Sequence, residues 1–165
     1  MKIKTLCALL LFVSCFEFSA IAQGKRSLPE RILDSVAKHE KKWEPKENKT
    51  VSATAMAGFD LLYMQWRTGK YLADALVYIN SSAREAKLMF GKKGPALGPS
   101  PLGGARILDK KVPSLGVDNY TWEDIYRKGE QGVVFRKGRV FVIVTAYSME
   151  DATKLALYIS REINR

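Results

Sequence analysis

Gly132-Val133-Val134-Phe135-Arg136-Lys137-Gly138-Arg139-Val140-Phe141-Val142-Ile143-Val144-Thr145-Ala146, followed by Ser148-Met149-Glu150-Asp151, is the stretch that decides the fold. Two segments rich in β-branched and aromatic residues flank Arg136–Arg139, and Gly138 supplies the positive φ that a tight turn needs. The segments read as a hairpin with strands at Gly132–Arg136 and Arg139–Ala146. Ser148 stands three residues before Asp151, an N-cap with an acidic first turn. Behind it Ala152, Leu155, Ala156, Ile159 and Ile163 recur at helical spacing, which predicts an amphipathic helix over Met149–Ile163.

The same unit occurs earlier in the chain. Phe59–Trp66 alternates, Arg67-Thr68-Gly69-Lys70 reads as a turn, and Tyr71, Ala73, Ala75, Val77 and Ile79 alternate again. Ser82-Ala83-Arg84-Glu85 is a capping box that opens a short helix to about Phe90. The turns match at an offset of 69 and the caps at an offset of 66, so the first unit carries three additional residues between turn and cap. Two ββα units, about 59–90 and 132–163, read as one element used twice. They predict an α+β fold: an antiparallel sheet from two ββα units, with helices packed on it and an N-terminal helix. Both unit helices are expected on one face. Val140, Val142 and Val144 point to one side of the last strand, and Phe141, Ile143 and Thr145 to the other. Both sides are largely apolar, whereas a strand half open to water alternates apolar with polar. Something therefore covers the second face. The N-terminal helix is the economical candidate; a partner subunit meeting Phe141 and Ile143, as in a homodimer, or an apolar ligand are the alternatives.

Working outward, Ser27-Leu28-Pro29-Glu30 is a capping box with proline at the helix start, and Ile32, Leu33, Val36 and Ala37 follow at helical spacing. A helix over Pro29–Trp43 is expected, ended by Glu44-Pro45, with Pro45–Thr50 a polar linker. This divides the chain into an N-terminal helix and linker over 23–50 and a single α+β domain over 51–165. Gly91–Ala105 holds five glycines and three prolines in 15 residues and reads as a long exposed loop. Beyond it, Val112 and Leu115 read as an edge strand and Thr121–Lys128 as a helical turn.

Met1–Ala22 has the form of an export signal. Lys2 and Lys4 precede the apolar run Leu6–Phe16, and Ala20-Ile21-Ala22 offers the small-x-small pattern of a cleavage site. The run of about 11 residues is too short to span a bilayer as a helix. Phe12-Val13-Ser14-Cys15 also approximates a bacterial lipobox, so lipidation at Cys15 is the alternative to cleavage after Ala22. The chain is accordingly expected to be periplasmic or secreted, or else a membrane-anchored lipoprotein. Both cysteines lie in this leader, which leaves the remainder without thiol, disulfide or thiolate metal site.

The formal charge of +10 favours acidic partners. Lys92, Lys93, Arg106, Lys110 and Lys111 flank the Gly/Pro loop and form the candidate seat for an anionic envelope component. No arginine-rich tail or RNA-binding signature is present, so nucleic acid is not an expected partner. The single histidine, His39, falls in the charged stretch Lys38–Lys42 and reads as part of a solvated helix face. Glu150 and Asp151 read as helix capping. Glu123 and Asp124 are adjacent in sequence, which does not oppose them across a substrate. No nucleotide-binding glycine pattern occurs, and no metal, cofactor or catalytic residue is expected. Trp66 and Trp122 read as core. The Asn-x-Ser/Thr triplets at Asn48, Asn80 and Asn119 are inert in the bacterial setting that the leader and the lack of disulfides suggest.

Val133–Val140 followed by Ser148–Ile163 resembles the C-terminal part of small exported bacterial domains of unknown function. It is also similar to extracellular sensor domains and lipoproteins that end in a hairpin and a helix. The resemblance covers about 30 residues. It carries over no functional residue and implies only a cell-envelope setting. The expected function is a non-catalytic binding or accessory module for an anionic or protein partner. The alternatives are a homo-oligomeric structural envelope protein and, last, a hydrolase.

Overall fold

The computed structural model describes residues 26–52, 58–93, 105–108, 110–125 and 129–163. The stretch Met1–Ala22 that reads as a leader, with Cys15, and residues 94–104 of the Gly/Pro stretch lie outside the described residues. The elements in chain order are α1 (Leu28–His39), β1 (Glu44–Ser52), β2 (Phe59–Thr68), β3 (Tyr71–Asn80), α2 (Ala83–Lys93), β4 (Ala105–Leu108), a 3-10 turn (Pro113–Leu115), β5 (Asn119–Asp124), β6 (Gln131–Lys137), β7 (Val140–Ala146) and α3 (Met149–Ile163). The described strands form one open antiparallel sheet, ordered β1-β2-β3-β7-β6-β5-β4. Two meanders thus meet at the β3–β7 pair.

The two expected hairpins are present. Gly69 and Gly138 both sit at φ +56° in their turns, a conformation that suits glycine because it has no Cβ to clash. Each turn sets the register of its strands: Thr68 faces Tyr71 and Lys137 faces Val140. The caps are also as expected. The Glu85 and Asp151 amides donate to Ser82 Oγ (3.2 Å) and Ser148 Oγ (3.1 Å). At α1 the Ser27 amide donates to the Glu30 carboxylate at 2.8 Å, which holds that carboxyl below its ordinary pKa.

One face of the sheet carries the main core. Leu62, Met64, Trp66, Ala75, Val142, Val144 and Phe135 are buried there beneath Ile32 and Val36 of α1 and Leu155, Ala156 and Ile159 of α3. The second face carries a smaller core in which Trp122, Val134, Phe141 and Ile143 are buried against Met89 and Phe90 of α2. This corrects two expectations. The unit helices α2 and α3 lie on opposite faces, and the N-terminal helix covers the first face rather than the second. The three additional residues explain the difference: β3 spans ten residues and β7 seven, from equivalent turns. Side chains alternate with period two, so an odd extension sends the chain off the opposite face. Phe141 and Ile143 are accordingly not at a surface; they are 0% and 2% exposed under α2.

Three further elements differ from expectation. Glu44–Ser52 is an edge strand and not a linker, and the helix before it stops at His39. Its proline, its charges and a register shift between Pro45 and Glu47 are the marks of an edge, where unpaired backbone faces water. Val112–Leu115 forms a 3-10 turn and not a strand, because Pro113 has no N–H for a ladder; Leu115 is buried from that turn. The stretch read as a helical turn begins with strand β5, whose Tyr120 and Trp122 pair across to Val134 and Gly132 on the second face. Gly132 lets the Trp122 indole lie close on β6, where any Cβ would meet it.

Candidate functional site

The residues of the second face fall into rows that the hairpin turns dictate. Counting back from Gly69, Gln65 faces Asp74 and Tyr63 faces Leu76. β7 extends those rows with Thr145 beside Asp74, Ile143 beside Leu76 and Phe141 beside Tyr78. The rows through Ile143 and Phe141 are largely apolar, and α2 covers part of them. The row Gln65–Asp74–Thr145 is polar and lies beyond the helix.

That uncovered end forms a cleft of about 470 Å³, floored by Leu76 and Ile143 and lined by Tyr63, Asp74 and Thr145. Asp74 organises it. Its Oδ1 accepts from the Tyr63 hydroxyl at 2.9 Å and from Gln65 Nε2 at 2.7 Å, and Gln65 Nε2 also donates to the Tyr63 oxygen at 2.9 Å. Burial first, and then the Asp74 carboxylate, push the Tyr63 phenol well above the ordinary tyrosine range, so it stays a protonated donor. Oδ1 is thereby occupied, while Oδ2 and the Thr145 hydroxyl take no hydrogen bond from the described residues. The rim is aromatic. Tyr71, just past the first turn, stacks on Tyr147 at the end of β7, with ring centroids 4.1 Å apart. Gly129 makes room for this, since a Cβ there would come within 2.5 Å of the Tyr147 ring. Lys70 Nζ lies 5.3 Å from the Tyr71 ring centroid. Glu130 completes the lining and also belongs to a second hollow, with Glu123 and Asp124.

The residues singled out from the sequence are not brought together in this cleft. Arg106 lies on edge strand β4 and is paired with Glu123. Lys110 and Lys111 follow β4 and are exposed, with Lys111 Nζ donating to the Val117 carbonyl at 3.3 Å. Lys92 and Lys93 end α2. His39 is on α1, its Nδ1 2.7 Å from the Ser35 carbonyl and its ring stacked on Tyr158 at 5.0 Å. Glu150 pairs with Lys154 and Asp151 with Lys42. Trp66 and Trp122 are core, 0% and 1% exposed. No group of three or more metal-ligating side chains occurs among the described residues, and no helix among them is long and apolar enough to cross a membrane. Reading the sequence missed Tyr63, Gln65, Asp74 and Thr145. The signal was there: two polar residues equidistant from a two-residue turn must face each other, and here both interrupt apolar strands.

No protein-family model and no curated protein matches the chain. Among solved structures, the extracellular domain of PknH from Mycobacterium tuberculosis is similar, with a TM-score of 0.56 and 14% identity over 82% of this chain and 96% of that one. A GTP binding regulator from Thermotoga maritima aligns with a TM-score of 0.48 and 13% identity, over 83% and 87% of the two chains. The likeness to the PknH domain is one of fold: a sheet with helices, as the sequence predicts.

Proposed function

We propose that the chain is an exported, non-catalytic binding module that receives its ligand in the cleft at the open end of the second sheet face. One observation carries this reading. An apolar, half-covered sheet face ends in a polar row whose carboxylate and hydroxyl are not filled by the described residues, beneath a half-buried Tyr71 stacked on the exposed Tyr147. A concave site with an apolar floor and a few convergent polar groups is the usual form of a ligand seat. The leader in the sequence and the extracellular setting of the PknH domain support a place outside the cytoplasm, the second by fold-level analogy. The chemistry of the cleft favours holding over transforming. A general acid or base works with a pKa near the ambient pH, and Tyr63 is pushed away from it.

The test is a fragment screen read by backbone-amide NMR on the protein. Fragments are expected to shift residues 71–76 and 143–147, and Tyr147→Ala is expected to remove those shifts while the fold persists. Fragments that cluster elsewhere, or turnover of ester, phosphate or glycoside substrates, would overturn the reading.

A second reading, contact with an anionic surface, is favoured by the exposure of Lys110 and Lys111 in a strongly basic chain. Co-sedimentation with vesicles containing anionic lipid, released by salt, is its expected sign. Vesicle binding unchanged in the Lys110→Glu/Lys111→Glu variant would count against it.

A further inference from the structure

We infer that the cleft takes a neutral glycan, with one sugar hydroxyl bridging Asp74 and Thr145 while the ring lies on Leu72 and Tyr147. This rests on the cleft being a binding site, and it specifies the chemistry of what binds.

Hydrogen-bond capacity is the first support. Tyr63 and Gln65 donate to Asp74 Oδ1, and neither Oδ2 nor the Thr145 hydroxyl takes a hydrogen bond from the described residues. A carboxylate oxygen only accepts, whereas a threonine hydroxyl donates as well. The two side chains are partners across the β3–β7 pair. Directly opposed Cβ atoms on a sheet stand about 5 Å apart. A hydroxyl set between two such groups, about 2.8 Å from each, closes that span. The group that fits donates to Asp74 and accepts from Thr145 through one atom. An ammonium donates only and leaves the Thr145 proton unspent. A phosphate or carboxylate accepts only and meets the Asp74 carboxylate. A hydroxyl does both.

The apolar lining is the second. Two residues along the same strand pair from Asp74 and Thr145, Leu72 and Tyr147 line the cleft and are 39% and 49% exposed. Rows two residues apart lie about 7 Å apart along a strand, the breadth of a pyranose ring with its hydroxyls. A ring seated by its C–H face on Leu72 and Tyr147 therefore brings its edge to Asp74 and Thr145. Tyr71 is already engaged, by the Tyr147 ring and by Lys70 Nζ at 5.3 Å, so the aromatic seat that would suit a cation is taken by the chain's own ammonium. β3 and β7 are central strands paired on both sides, so an extended peptide finds no backbone partners on this face.

The experiment titrates the protein with cellotriose, chitotriose and mannotriose, and with spermidine for comparison, following the Asp74, Thr145 and Tyr147 amides. Saturable shifts with at least one sugar are expected, and salt is expected to leave them unchanged because the ligand carries no charge. The permethylated form of the sugar that binds keeps its oxygen acceptors and loses every O–H; it is expected not to bind. Thr145→Val matches the side chain in shape and removes the hydroxyl. It is expected to weaken the sugar about tenfold, the worth of one hydrogen bond, with an unchanged melting curve. Tyr147→Leu, a surface change, is expected to keep part of the affinity. Stronger shifts with spermidine than with any sugar, equal binding of the permethylated sugar, or full affinity in Thr145→Val would each overturn the inference and leave the binding module standing. Silence from all three sugars while fragments still bind in the cleft also overturns it; silence from the fragments too overturns both.

Discussion

Ser148 shows how one side chain sets the start of an element. Its Oγ accepts the Asp151 amide and donates to the Asp151 carboxylate at 3.0 Å, so the first turn of α3 closes on itself. Lys42, arriving from the segment after α1, reaches the same carboxylate at 2.6 Å. Burial alone would raise the Asp151 pKa, but the bonds from Lys42 and Ser148 favour the ionised form and win, so it lies below the ordinary 3.8. A folded-state pKa below the unfolded one means that this stabilisation is complete above the unfolded value and is lost as pH falls through the folded one. Ser148→Ala is expected to cost about 1 kcal/mol at neutral pH. Lys42→Met is expected to destabilise at neutral pH and to approach wild type in acid, once Asp151 is protonated; urea denaturation at the two pH values checks both. The cap was legible because it is a local pattern of four residues. Asp74 was not read as a site residue because its meaning lies in what faces it across a turn, which single-residue chemistry does not reveal.

At the scale of elements, α2 is the informative case. It turns Ala86, Met89 and Phe90 to the sheet and leaves Leu88 44% exposed. Ala86→Asp buries a charge without a partner and is expected to cost about 3–5 kcal/mol. Leu88→Asp is expected to stay within about 0.5 kcal/mol. Equal effects in denaturant unfolding would mean that α2 is not the cover of the second face. The helix itself was legible from its cap, and the need for a cover from the two-sided apolar pattern of β7. What covers it was also countable, since three additional strand residues reverse the exit face, yet duplication invites the assumption that copies behave alike. β1 and β5 were lost for a different reason. Pattern reading rewards alternation of apolar with polar, and Glu44–Ser52 is polar almost throughout, as an edge can be. In Asn119–Asp124 the aromatic residues alternate, but the acidic end resembles the first turn of a helix.

At the scale of the molecule, the sheet joins its two meanders through β3 and β7, and among the described residues both of its edges are open. One edge is guarded by Pro45, Lys46 and Lys49, and the other is only the four residues of β4. The first face is closed by two helices from the two ends of the described chain. Arg31 Nη2 donates to the Glu162 carbonyl at 3.0 Å, Tyr158 to Glu40 at 3.1 Å, and Lys42 to Asp151. These links run in opposite chain order along α3 and along α1 with the segment that follows it, while the cleft lies on the other side of the sheet.

That antiparallel clasp has a mechanical consequence. Tension drawn between Arg26 and Ile163 would peel the two helices apart from their adjoining ends, breaking Arg31–Glu162 first, then Glu40–Tyr158, then Lys42–Asp151. A zipper loaded one tooth at a time yields at low force, so the helical side would act as a soft fuse, leaving the strands between it and the cleft unstretched.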